Sequence, residues 1–224
     1  MRLLIVNADD FGRSPAVNEG ILQAHTGGIV TSTSLMVLEA AAVGGARAAA
    51  GCEGLSVGLH FVEEQHSNLD DPRQAARSFH RQLERFRELT GHDPTHVDSH
   101  HHVHSRARSR LATFSELVEP LGVPLRGDGR VAYIGGFWAQ SELGVSELRN
   151  VSRRFLLHLI ATEVLDGFTE LACHPALING DFDSSYLNER AVELATLTEP
   201  GLREALDALG AELVSYHAWT RRSV

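Results

Sequence analysis

The sequence predicts an α/β protein, a distorted or incomplete (β/α) barrel, TIM-barrel-like, with about seven parallel strands. Two observations carry this reading. Short runs of branched aliphatic residues alternate with helix-like stretches along the whole chain, and that alternation implies parallel strands joined by helical crossovers. Chemistry-bearing residues also stand at or just past the C-terminal ends of different predicted strands: Asp9, Asp10, His60, Asp98, His100, Arg126 and His174. A doubly wound sheet satisfies the first observation equally. Function drawn from many strand ends favours the barrel.

Each element has a local reason. RLLIVN (2–7) predicts a buried strand through its branched aliphatics. In the next stretch (14–28) Ser14 suits an N-cap, Pro15 the first helical position, and Gly27 and Gly28 the stop. Strands are expected at 29–37 and 55–61, with a helix between them at 39–51 despite Gly44 and Gly45. Residues 71–91 combine helical apolar spacing with a terminal glycine, so a helix is expected there, followed by a strand at 95–100 and a helix at 105–122. VPLR (123–126) predicts a short strand. The stretch 126–144 is the least structured, and its Tyr133, Phe137 and Trp138 suit a loop facing a substrate or one packed over the barrel rim. A helix over 146–165, a strand over 168–174, helical patterns over 185–198 and 200–209, and a strand over 211–219 complete the chain.

Length and composition narrow the function. The 224 residues fit one domain, 1–224, and suffice to bury a sizeable core. A net charge of -9 argues against a nucleic-acid partner. All 20 basic residues are Arg, which excludes Schiff-base lysine, lysine-bound pyridoxal phosphate and phosphate-loop chemistry. The cysteines, Cys52 and Cys173, cannot make a Cys₄ zinc site and suggest no disulfide framework. No segment approaches the ~20 apolar residues of a membrane span. Asp9 and Asp10 interrupt the N-terminal apolar run too early for a signal peptide, so a cytoplasmic location is expected.

Two motifs carry the chemistry. NADDFG (7–12) sets two carboxylates side by side, which is unfavourable without a nearby positive charge. Helix capping would explain one of them. One carboxylate with two imidazoles makes a divalent-metal site with open positions, and leaves the second carboxylate free for proton transfer. HVDSHHHVH (96–104) holds five of the 13 histidines. If the chain is extended, His96, Asp98 and His100 share a face. If it turns helical after His100, then His100 and His104 become neighbours. His60 ends an apolar strand, and a lone histidine there is as readily a core residue; convergence with the other groups makes it a candidate ligand. His174 stands at a strand end before Pro175, while Cys173 should face the core.

LLIVNADDFGRSPAVNEGI, GIVTSTSLMV, VGLHF, THVDSHHHVH and LACHPA resemble the YdjC/ChbG-type carbohydrate deacetylases, in the family's order and over most of the chain. The resemblance implies a distorted (β/α) barrel, one divalent metal ion, and hydrolysis of an N-acetyl group from an amino sugar or short oligosaccharide with release of acetate. Carried over by position, it implies Asp10, His60 and His100 as metal ligands, Asp9 as general base, and His174 as a supporting or acidic histidine, protonated to help the amine leave. Arg126 resembles a basic residue after a short strand in the family and is assigned to substrate binding. Two imidazoles lean toward Zn²⁺, while the carboxylate admits Mg²⁺, Mn²⁺ or Co²⁺. The implied partner is a small N-acetylated sugar, without nucleic acid or membrane, and a homodimer is compatible. Between His60 and His96 the chain departs from the many members that carry a longer insert near the substrate mouth. The rival reaction is hydrolysis of another amide or of a phosphoester. The latter often takes two ions ~3.5–4 Å apart, whereas the sequence supplies ligands for one. A non-catalytic sugar-binding protein would have tolerated the loss of Asp9 or a ligand, and every matched position is intact.

Overall fold

A computed structural model describes residues 1–222. Strands β1 (Arg2–Phe11), β2 (Ser32–Leu35), β3 (Ser56–Phe61) and β4 (Val97–Ser99) alternate with helices α1 (Pro15–Thr26), α2 (Ala42–Ala49) and α3 (Pro72–Thr90). Helix α4 (Arg108–Val118), strand β5 (Ala132–Ile134) and a hairpin of β6 (Gln140–Glu142) and β7 (Val145–Ser146) follow. The chain ends with α5 (Arg153–Glu163), β8 (Gly167–Cys173), α6 (Leu187–Leu197), α7 (Leu202–Ala208), β9 (Ala211–Leu213) and α8 (Tyr216–Arg222). Local chemistry explains the helix ends. Ser14 caps α1 by accepting the Val17 N–H, with Pro15 in the first turn, and Gly91 ends α3 in the left-handed conformation.

Seven strands form the main sheet, in the order β4-β3-β2-β1-β8-β5, with β9 paired to the first residues of β1. Every pair in it is parallel. The sheet curls. One guanidinium, that of Arg126, bonds carboxylates on β1, β4 and β8, although three strands separate β4 from β8 in the sheet. The distorted barrel expected from the sequence is therefore present, with its seam between β4 and β5. Leu125 makes a single parallel bridge to Val97, and the chain then runs across the seam to β5.

Two strand expectations are corrected. Residues 123–126 make only that bridge, and the strand forms later, at β5, where Ala132–Ile134 pairs with β8. The expected strand 211–219 ends at Leu213, because Tyr216 turns inward and its N–H bonds Ser56 Oγ, which starts α8.

The sheet separates two kinds of interior. Outside it, Leu4, Val6 and Ala8 of β1 join the large apolar core under the helices, which includes an edge-packed trio of Phe61, Phe79 and Phe114. Inside the barrel, Ile5, Val131, Phe168 and Trp219 pack at the lower end. The inward residues level with Ile5 and above it are mostly polar and buried: Glu170, Asn7, Ser34, Asp98 and Arg126. Buried polar groups persist only when bonded, so this column is a network with a task. Among the described residues no helix is long and apolar enough to cross a membrane.

Candidate active site

Successive residues of a strand face opposite sides, so Asp9 and Asp10 should diverge. They do not. The β1–β2 register slips between Ala8 and Phe11, and Asp10 takes a left-handed φ of 69°. That conformation is uncommon outside glycine and is a mark of functional sites. The bulge turns both carboxylates into one cavity of about 770 Å³ at the strands' C-terminal ends. Asp9, Asp10, His60, His100 and His174 all line it, as do Tyr133, Phe137 and Trp138 from the expected substrate-facing stretch.

Asp10, His60 and His100 are a group that could hold a cation. Asp10 Oδ2 accepts hydrogen bonds from Arg190 and, at 3.2 Å, from Arg13. Its Oδ1 lies 3.4 Å from His60 Nε2 and 2.9 Å from His100 Nδ1. Asp98 Oδ1 sits 2.7 Å from His60 Nδ1 and so aims Nε2 at Asp10, as a carboxylate behind a metal-binding histidine does. Asp10 Oδ1 and His60 Nε2 are both buried without a hydrogen-bond partner. Orphaned buried groups are rare, and here they converge with a His100 nitrogen within 4.8 Å of one another. This carboxylate–imidazole set fits a divalent cation. A second set, Asp9, His60 and Asp98, is equally compact. It is already filled by the Arg126 guanidinium and the Asn7 amide.

The remaining histidines of the cluster separate cleanly. His104 is satisfied by Ser99 Oγ and by the Arg126 carbonyl at 2.8 Å. His96 is buried beneath Tyr216. His101 and His102 line the cavity, both with positive φ.

Charge follows from this geometry. Burial alone would lower His60, but Asp98, Asp10 and Asp9 push it up to about 10. Burial raises Asp10, yet Arg190, His100 and His60 hold it well below the usual carboxylate range. For Asp9 the burial effect is outweighed by Arg126, and its carboxyl is lowered.

Arg126 corrects an expectation. It was assigned to substrate binding, but it is only 4% exposed and does not line the cavity. Its two terminal nitrogens grip both Asp9 oxygens at 2.7 Å, a fork-on-fork pair. It also bonds Asp98, at 2.7 Å, and Glu170, at 2.9 Å through Nε. Each of its three nitrogens meets a carboxylate, so it is the counter-ion of the site.

His174 faces Asp9 from the other wall, with Nε2 3.9 Å from Oδ2. Burial pushes it down to about 4, against the partial opposition of Asp9 and Asp10. Its backbone N–H donates to Glu193, and Glu193 also accepts the Tyr186 hydroxyl at 2.6 Å. Tyr186 in turn accepts the Ala139 N–H at 2.7 Å and stacks on Trp138 at 3.8 Å. One face of α6 therefore steadies both sides of the cavity, with Arg190 on Asp10 and Glu193 behind His174. Cys173 is buried, in line with a core role.

Comparison with known proteins shows the family of the chain. A family model described as YdjC-like protein matches residues 3–208. A chitooligosaccharide deacetylase from Klebsiella pneumoniae is 34% identical, over 96% of this chain and 98% of that one. A carbohydrate deacetylase from Geobacillus stearothermophilus is 35% identical, over 96% and 97%. A crystal structure of an Enterococcus faecalis protein superposes with a TM-score of 0.81 at 24% identity, covering 97% of this chain and 98% of that one. The chain belongs to the YdjC-like family.

Proposed function

We propose that this protein is a metal-dependent hydrolase that removes an N-acetyl group from an amino sugar or short oligosaccharide and releases acetate. One observation carries the reading: two orphaned ligand atoms, Asp10 Oδ1 and His60 Nε2, open into the cavity that also holds the Arg126-clamped carboxylate of Asp9. The names of the two curated relatives support the substrate class.

Asp10, His60 and His100 would hold one divalent ion. Such an ion polarises the amide carbonyl and acidifies the attacking water. Asp9 takes the proton of that water. Arg126 keeps Asp9 ionised at neutral pH, so it stands ready to receive. His174 hands a proton to the leaving amine, which cannot depart without one. The earlier expectation of a resident proton on His174 changes here. Burial keeps the ring neutral at pH 7, so its proton is one gained in the reaction, and Asp9 at 3.9 Å is its source. Trp138, stacked on Tyr186 and in T-shaped contact with His174, lines the cavity and offers an aromatic ring there to the apolar face of a sugar.

The second ligand set is filled by protein groups, which favours a one-ion amide hydrolase over a two-ion phosphoesterase. The discriminating assay incubates the protein with N-acetylated chitooligosaccharides and with an aryl phosphoester. Equal amounts of acetate and free amine are expected. Phosphate release without acetate would overturn the reading.

Cation binding should be coupled to protons. With His60 near 10, its ring is protonated at neutral pH, and the cation competes with that proton for Nε2. Binding should release about one proton per ion, and apparent affinity should rise as pH rises toward the His60 value. Calorimetry in two buffers of different ionisation enthalpy reads the release directly. Binding with no proton release would remove His60 from the ligand set.

A further inference from the structure

The polar column continues below Asp9. Glu170 on β8 is 1% exposed, and the parallel register sets it opposite Ile5, deeper in the barrel than Asn7. Its Oε1 accepts from Nε and Nη2 of Arg126, the guanidinium that grips Asp9. Its Oε2 accepts the Tyr216 hydroxyl at 2.8 Å. Tyr216 enters the barrel from α8, with its own N–H fixed by Ser56 Oγ at 3.1 Å. Its ring lies flat on His96, with centroids 4.0 Å apart and planes at 14°. His96 fits there because residue 58 is glycine: a Cβ at that position would stand 2.4 Å from the imidazole.

These contacts leave the guanidinium little freedom. To swing away from Asp9 it must break its bonds to Glu170, and Glu170 is held from beneath by Tyr216. Tyr216 itself packs with Ile5 and Val131, so its hydroxyl joins the polar column to that apolar cluster. Packing alone would need only the ring, since phenylalanine would fill the same space against His96. The hydroxyl serves the Glu170 oxygen that Arg126 does not reach.

We propose that Tyr216 is a positioning residue for the hydrolysis, acting through Glu170 and Arg126 to hold the Asp9 carboxylate in register with the attacking water. This rests on Asp9 being the base. It ties turnover to the C-terminal helix at the opposite end of the barrel from the cavity.

The test uses Tyr216→Phe, Glu170→Gln and the double variant in the full chain. Tyr216→Phe should lower kcat about tenfold through misplacement of the base. KM and Zn²⁺ affinity by calorimetry should stay unchanged, because Tyr216 touches neither the cavity nor the ligand set. General loosening of the fold would move all three. Because Tyr216 acts only through Glu170, the double variant should be no slower than Glu170→Gln alone. Wild-type kcat in Tyr216→Phe would overturn the proposal, and so would losses that multiply in the double variant. Tyr216→Phe decides alone if Glu170→Gln does not fold. Asp9→Asn separates the two readings. If it stays active, the base assignment itself fails. If it is inactive while Tyr216→Phe is fully active, only the relay fails.

Discussion

Asp9→Asn is expected to lower kcat by roughly 10²–10⁴-fold, the usual contribution of a general base, while the protein stays folded and still binds its cation. The replacement keeps the size of the side chain and removes its capacity to take a proton. Asp10, His60 and His100 are untouched, so the cation should remain. Arg126 keeps two of its three carboxylates, Asp98 and Glu170, so the column should survive. Acetate release and metal content, measured on the same preparation, check both halves of this statement. Turnover at the wild-type rate would take Asp9 out of the proton path. Loss of both metal and turnover would mean that Asp9 belongs to the ligand set instead.

Arg126→Met carries the largest expected cost in stability. The substitution roughly keeps the volume and leaves Asp9, Asp98 and Glu170 buried together without their shared counter-ion. Removing one partner of a buried ionic cluster typically costs about 3–5 kcal/mol. For a chain of this size that corresponds to a melting temperature lower by roughly 6–20 °C. The pH dependence has a definite sign. In the wild type Asp9 and Asp98 titrate below their ordinary values, so they contribute stability above about pH 4 that is lost as pH falls. In the variant Asp9 stays buried but loses the guanidinium that lowers it, so its burial destabilises as pH rises, while Asp98 keeps His60 at 2.7 Å. The gap between the two proteins should be widest near neutral pH and should narrow toward pH 5. Thermal melts at pH 5 and 7.5 read this, and a gap that does not change with pH would contradict the role given to Arg126.

Much of this site was legible in the sequence because its members lie at strand ends. Asp9, Asp10, His60, His100 and His174 each stand at or just past the C-terminal end of a predicted strand, and a parallel barrel brings such ends together. The bulge at Asp10 was not legible. Alternation would send one carboxylate outward, and nothing in NADDFG announces a left-handed aspartate. Arg126 carries an ambiguous signal. An arginine after a short apolar run can point to the mouth or the interior, and here the Leu125–Val97 bridge turns it inward. Arg190 and Glu193 carried no signal. They sit in an ordinary polar helix, and Arg190 meets a carboxylate 180 positions away. The last element failed for a tertiary reason: residues 211–219 have strand-like composition, but capture of Tyr216 by Glu170 and Ser56 breaks the strand after Leu213.

The most direct measurement is a titration of the chelator-stripped protein with Zn²⁺, following acetate release from an N-acetylated chitooligosaccharide. Activity should be absent in the stripped protein, rise linearly with added ion and level off at one equivalent. Acetate release that is indifferent to stripping, or that levels off only at two equivalents, would contradict a single cation held by Asp10, His60 and His100.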